Sequence, residues 1–282
     1  MNYNHAFHAG NFADVFKHAV IARIIVHLRE KSAAFRIIDT HAGMGLYDLS
    51  GSEASRSGEW RSGIARCMAG AFAADVRALL TPYLEAVAAF NTSTGLQHYP
   101  GSPLLALHLM RPQDRLVACE LEPKTAATLD RRIARDARAK VVAIDGWTAL
   151  KAYVPPKERR GLVVIDPPYE AADEFSSLAR SFQSAHRKWP TGIYVLWYPI
   201  KTRTGPDALA RHVRRAGIAK VLRAELLQIP PDPNRLAGAG LIIVNPPWML
   251  ESELKQLLPA LASALGGGAG SGFALDWLAG EK

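Results

Sequence analysis

Cysteine is scarce in this sequence. Only Cys67 and Cys119 occur in 282 residues, far apart and in apolar surroundings. Without a C-x-x-C spacing, neither a disulfide framework nor a cysteine-based zinc site is expected, and both side chains read as buried reduced thiols. Long apolar runs are missing too: none approaches the ~18 residues a membrane helix needs. Residues 1–10 are polar and His-containing, with no basic n-region and no apolar core, so they do not read as a signal peptide. A cytoplasmic protein is expected. Acidic residues are in deficit: 34 Lys and Arg stand against 26 Asp and Glu, a net charge of +8. Such a surplus fits a polyanionic partner, because each cation near a phosphate helps release condensed counterions. It fits a merely basic cytosolic protein as well. The histidines at positions 5, 8 and 18 come near ligand spacing, but no Cys or carboxylate cluster completes a site, so no metal is expected.

What the chain does have is an ordinary globular composition, 49% hydrophobic and 21% charged, and enough length for a full core. Seven segments read as strands: 35–39, 116–120, 141–145, 162–166, 193–197, 223–229 and 241–244. The first four are β-branched-rich apolar runs, as expected of strands covered on both faces. Phe12, Val15, Phe16, Ala19, Ile24 and Leu28 repeat at helical spacing behind a candidate N-cap, Asn11. Residues 125–138 read as a strongly basic helix, and 206–216 as another, ended by Gly217. Alternating strands and helices predict an α/β, doubly wound, mostly parallel sheet. Only residues 230–240 separate the last two strands, too few for a helical crossover, so these should form an antiparallel hairpin.

Between Gly45 and about Pro100 the rhythm breaks. No strand is expected there, and helical patterns appear near 58–68 and 71–91. The first strand ends at Asp39 and the second at Glu120, far beyond the ~20 residues of a simple doubly wound fold. Residues 51–97 are therefore expected to be a small helical insertion on a domain made of 1–50 and 98–282. The Gly-rich 266–272 run reads as a connector.

Ligands of open α/β sheets bind at the carboxyl ends of the strands, and four such ends carry polar groups. Asp39-Thr40-His41-Ala42-Gly43-Met44-Gly45 offers close backbone approach, or simply a tight turn. It lacks a full G-x-G-x-x-G, with Asp48 in the last place, which argues against a nicotinamide enzyme. Glu120 suits two ribose hydroxyls, or is a solvated partner of Lys124. Asp145-Gly146 suits an adenine amino group, or merely ends a strand. Asp166-Pro167-Pro168-Tyr169 is the strongest signal. An exocyclic amine on an aromatic ring is a poor nucleophile, because its lone pair is delocalised. Hydrogen bonds from it to the Asp166 carboxylate and the Pro167 carbonyl would favour tetrahedral nitrogen and aim the lone pair. Tyr169 offers a flat face to an unstacked base. An unperturbed aspartate, pKa about 3.9, is a weak base, so this group should take the proton during or after transfer rather than before it. Asn245-Pro246-Pro247-Trp248 looks like the same motif, but it follows the strand expected to run backwards, so it should point to the opposite edge of the sheet.

These motifs are joined by His8-Ala9-Gly10-Asn11-Phe12-Ala13-Asp14-Val15-Phe16-Lys17-His18, by Tyr99-Pro100-Gly101-Ser102-Pro103 and by Leu196-Trp197-Tyr198-Pro199. Taken in order they span nearly the whole chain, which resembles the RlmJ-type family of 23S rRNA (adenine-N6)-methyltransferases. The resemblance implies a Rossmann-like methyltransferase fold that binds S-adenosylmethionine (SAM). It implies that His18, His41, Ser102, Glu120, Asp145, Gly146 and Asp166 line the cofactor site, with Gly43 in the glycine turn. Asp166 is then the proton acceptor, Lys17 a partner for the methionine carboxylate, and Tyr3 a neighbour of the substrate base.

For phosphate contact we favour Lys201 and Arg203, which follow the fifth strand on the ligand side. The basic helix (Arg131, Arg132, Arg135, Arg138) and Lys157, Arg159 and Arg160 are the alternatives. The expected activity is SAM-dependent N6-methylation of an accessible or flipped adenine in 23S rRNA, free or partly assembled, by a monomer. Three rivals remain: a DNA adenine-N6 methyltransferase, an RNA-binding module without turnover and, more distantly, a nicotinamide oxidoreductase.

Overall fold

The structure, a computed structural model, describes residues 5–92 and 95–280. A 3-10 turn, His5–Phe7, leads into α1 (Phe12–Arg29). The Asn11 side chain caps α1 by accepting from the N–H groups of Ala13 and Asp14, both at 3.0 Å. This helix is buried on almost every side, as befits a core helix with no dominant polar face. Its buried charges are matched: Arg23 and His27 meet Glu253 at 2.6 and 3.1 Å.

Strand β1 (Arg36–Asp39) follows, then the short β2 (Leu46–Asp48). Helices α2 (Ser52–Ser57), α3 (Glu59–Ser62), α4 (Ile64–Ala69) and α5 (Ala74–Ala88) precede β3 (His98–Pro100). Next come α6 (Ser102–Leu109), β4 (Arg115–Glu120), α7 (Pro123–Ile133), β5 (Ala139–Ala143), α8 (Gly146–Tyr153) and β6 (Gly161–Ile165). The chain continues through α9 (Glu174–Lys188), β7 (Ile193–Ile200), α10 (Thr204–Arg215), β8 (Val221–Leu227) and β9 (Gly238–Val244). It ends with α11 (Leu250–Leu265) and β10 (Gly272–Ala279).

Eight strands form the main sheet in the order β10-β8-β9-β7-β6-β1-β4-β5. The five from β7 to β5 are mutually parallel. The expected hairpin is present as β8 and β9, and β9 runs antiparallel to β7. Alternate strand residues feed two cores. Ile37, Leu162 and Val195 pack with α1, α5, α6, α7 and α11, while Ile38, Val163 and Leu196 pack with α8, α9 and α10.

Two expectations need correction. The sheet has an eighth strand, β10, which the 266–272 connector delivers to the edge beside β8. The stretch between Gly45 and Pro100 does contain strands. Leu46–Asp48 pairs with His98–Pro100, and this ribbon closes the base of the helical segment. Both ribbon strands are only three residues long, too short for a period-two pattern to register. The helices of that segment are not set apart from the core, since α5 packs on α1, α6 and α11.

Candidate active site

The carboxyl ends of β1, β4, β5 and β6 open into a cavity of about 520 Å³, within the size range of small-molecule sites. Lys17, His18, His41, Gly43, Ser102, Glu120, Asp145, Gly146 and Asp166 all line it, with Pro167 beside them. The Gly43 N–H donates to Glu120 Oε2 at 3.0 Å, and the Glu122 N–H donates to Oε1 at 2.9 Å, so the carboxylate is held in place. Asp145 caps α8 by accepting from the Thr148 N–H at 2.8 Å. Gly146 is needed for close packing: a Cβ there would lie 2.5 Å from the His41 ring and 2.8 Å from the Thr40 carbonyl oxygen.

A second cavity, about 730 Å³, lies on the other side of Asp166. The two share His5, Lys17, Asp166, Pro168 and Glu170. Tyr169 and Trp197 line only the second. Tyr169 has φ +54°, a strained backbone for a non-glycine residue, and its hydroxyl donates to the Trp197 carbonyl at 2.8 Å. Lys201 lines this cavity, as do Ser57, Glu59 and Ser62 of the helical segment and Arg235 of the β8–β9 connection. Arg203 lines neither cavity. Its guanidinium is committed to Glu225 at 2.7 Å and Asp207 at 2.9 Å. Tyr3 lies outside the described residues.

Lys17 joins the two cavities. Its Nζ sits 2.9 Å from Asp14 and 2.5 Å from Asp166. Burial works against its charge, but Asp14 and Asp166 outweigh burial and raise its pKa above the ordinary lysine range. Burial likewise opposes the Asp14 charge, yet Lys17 and His5 hold that carboxyl well below its usual range. Asp14, Lys17 and His18 stand at i, i+3 and i+4, so one face of the first turns of α1 carries all three. Burial pushes His18 down to about 3 and His41 down to about 4, leaving both neutral near pH 7. The His18 Nδ1 is hydrogen-bonded to the Tyr99 hydroxyl at 2.7 Å. Neither Asp14 nor the wall from Ser57 to Ser62 stood out in the sequence. For Asp14 the available signal was its helical spacing to Lys17 and His18.

Asp39, at the end of β1, is buried, and its Oδ2 has no partner among the described residues. Burial raises its carboxyl to about 6, against the Ser102 hydroxyl, which lowers it. An acid whose folded pKa is raised costs stability once ionised. The cost is absent below the ordinary value of 3.8 and complete above about 6. Asp39→Asn should therefore stabilise the ligand-free protein by roughly 2–3 kcal/mol at pH 7.5 and by little at pH 4. Melting curves across that range test this; a Tm gain independent of pH would contradict it.

Asn245-Pro246-Pro247-Trp248 lies at the far edge of the sheet. The Asn245 side-chain amide donates to the Pro190 and Gly192 carbonyls at 2.7 and 2.8 Å, beside the start of β7. Among the described residues no His, Cys, Asp or Glu group is arranged to hold a metal ion, and no helix is long and apolar enough to cross a membrane.

An open, doubly wound sheet, with its crevice at the carboxyl ends of the parallel strands and Asp-Pro-Pro-Tyr closing β6, is a Rossmann-like methyltransferase fold. The chain belongs to the family described as Ribosomal RNA large subunit methyltransferase D, RlmJ, whose model matches residues 32–279. It is 41% identical over 283 residues to the Ribosomal RNA large subunit methyltransferase J of Escherichia coli (strain K12), covering all of both chains. It is 35% identical, again over both full lengths, to the Haemophilus influenzae protein of the same name. A solved structure of a Legionella pneumophila protein superposes with a TM-score of 0.87 at 33% identity, covering 95% of this chain and 98% of that one.

Proposed function

We propose that this protein transfers a methyl group from SAM to the N6 amine of a specific adenine in 23S rRNA. The observation that carries the reading is the position of Asp166 in the wall common to both cavities. The first cavity takes the cofactor. Glu120 receives the ribose hydroxyls and Asp145 the adenine amine, while His18, His41, Gly43, Ser102 and Gly146 complete the wall. Asp39 Oδ2, without a partner among the described residues while Oδ1 accepts from the His41 N–H at 3.3 Å, is a buried acceptor that suits a ligand carrying an ammonium group. Bound SAM supplies an electrophilic methyl group on sulfur.

The second cavity takes the acceptor base against Tyr169. Asp166 and the Pro167 carbonyl accept hydrogen bonds from the amine, localise its lone pair and hold it in line with the methyl group. As the N–C bond forms, the amine proton passes to Asp166. Lys17 orients that carboxylate through their ion pair. In this reading the catalytic domain comprises 1–50 and 98–282, with 51–97 as an insertion, and the protein acts as a cytoplasmic monomer on free or partly assembled rRNA.

Labelled methyl transfer to unmodified 23S rRNA and to duplex DNA, followed by nucleoside mass spectrometry, is the test. N6-methyladenosine in the rRNA alone is expected. Label in DNA alone would replace the substrate class, and no label in either, with SAM bound, would sink the free-RNA assignment.

A further inference from the structure

The second cavity is larger than the first, about 730 against 520 Å³. A base alone would not fill it, because the smaller cavity is assigned a whole nucleoside with its methionine arm. We propose that Lys201 and Arg235 form a two-cation phosphate clamp at its rim, which seats the backbone phosphate of the target nucleotide. The proposal rests on the reading that this cavity takes the acceptor base.

The two cations come from distant parts of the chain but are brought together by the fold. Lys201 directly follows β7, and Arg235 lies in the connection from β8 to β9. The Ala237 N–H donates to the Ile200 carbonyl at 2.9 Å, pinning that connection to the end of β7. Both side chains are exposed and both line the cavity. Neither has an ion-pair partner among the described residues, whereas Arg203, two positions from Lys201, is neutralised by Glu225 and Asp207.

The Ser57 to Ser62 wall cannot do this work. The Ser57 hydroxyl is donated to the carbonyls of Phe7 and Ala54, and the Ser62 hydroxyl to the Glu59 carbonyl. Glu59 itself is taken up by His8 and Asn11. On the floor, Asp14 and Asp166 share the single ammonium of Lys17, which leaves no cation there for a phosphate. Uncompensated positive charge therefore gathers on the Lys201–Arg235 side. There the planar guanidinium can grip two phosphate oxygens while the ammonium serves as a point charge. Such contacts fix register and depth; they do not read sequence.

The test uses the full-length protein with Lys201→Ala, Arg235→Ala, the double variant, and Arg211→Ala on α10 as a control of equal charge remote from both cavities. With unmodified 23S rRNA, each single clamp variant should raise KM about tenfold, keep kcat within about twofold, and flatten the salt dependence of kcat/KM by about one unit of slope. SAM affinity should not change. Adenosine 5′-monophosphate should bind wild type more tightly than adenosine does, and the double variant should lose that preference. Clamp variants no weaker than Arg211→Ala, or equal binding of nucleotide and nucleoside by wild type, would overturn the clamp. A wild type that methylates no rRNA would instead overturn the underlying reading, which the binding comparison, needing no turnover, keeps separate.

Discussion

Asp166→Asn should abolish methyl transfer to rRNA, lowering the single-turnover rate by at least about a thousandfold while SAM binding changes only a few-fold. Asparagine keeps the shape and one acceptor oxygen. It loses the charge that strengthens the hydrogen bond from the amine, and it cannot take up the proton. Charge-assisted stabilisation of this kind is worth about 10²–10³ in rate, and a positioned proton acceptor about 10²–10⁴; because one group serves both roles, the factors overlap rather than multiply. The carboxylate also lies 2.5 Å from Lys17, so the substitution loosens a buried ion pair. Melting temperature and SAM affinity must be measured beside the rate. Asp166→Glu restores the charge but adds a methylene in a space already closed by Lys17, and should recover little. If Asp166→Asn kept a tenth of wild-type activity with saturating SAM, the carboxylate would be neither the proton acceptor nor the main positioning group.

The lining of the first cavity was legible because its parts are local. Asp39 to Gly43, Glu120, Asp145 with Gly146, and Asp166 each end a strand that its own residues announce, and a parallel sheet brings such ends to one edge. The backward run of β9 was legible from the short 230–240 connection, and it removed Asn245 from consideration. The second cavity was legible only in Asp166, Tyr169 and Lys201, because the rest of its wall, including Ser57 to Ser62 and Arg235, is assembled from segments with no shared pattern. Arg203 shows the same limit from the other direction. Its position after the fifth strand suggested a phosphate contact, yet Glu225 lies on a neighbouring strand and captures it. Strand β10 escaped notice because Phe273, Leu275 and Trp277 alternate with small or charged residues on an edge, after a glycine run that read as a connector. Lys17 was placed in the site but with another partner. Nothing in the sequence shows that Lys17 bridges Asp14 and Asp166, the latter 149 positions away.

That triad makes Lys17→Met the second large effect. The variant should lose about a hundredfold in kcat, because Asp166 would lose the ion pair that holds its carboxylate in position. It should also be less stable at pH 7.5 by about 3–5 kcal/mol, the usual result of removing one partner from a buried pair. The pH dependence follows from the directions of the shifts. The Asp14 carboxyl is held well below its ordinary value, so its contribution is complete above 3.8 and fades as pH falls through the lower folded value. Lys17 is raised, so its contribution is complete below its ordinary 10.5 and fades only as pH rises through the higher folded value. Both contributions are therefore whole at neutral pH. In the variant Asp14 keeps the penalty of burial without the cation, and acid relieves that penalty by protonation. The Tm deficit should be largest near neutrality and shrink toward acid. Lys17→Arg, which keeps the charge in a bulkier head group, should restore the pH behaviour more fully than the rate. A deficit that is flat with pH would show that Lys17 acts through packing alone.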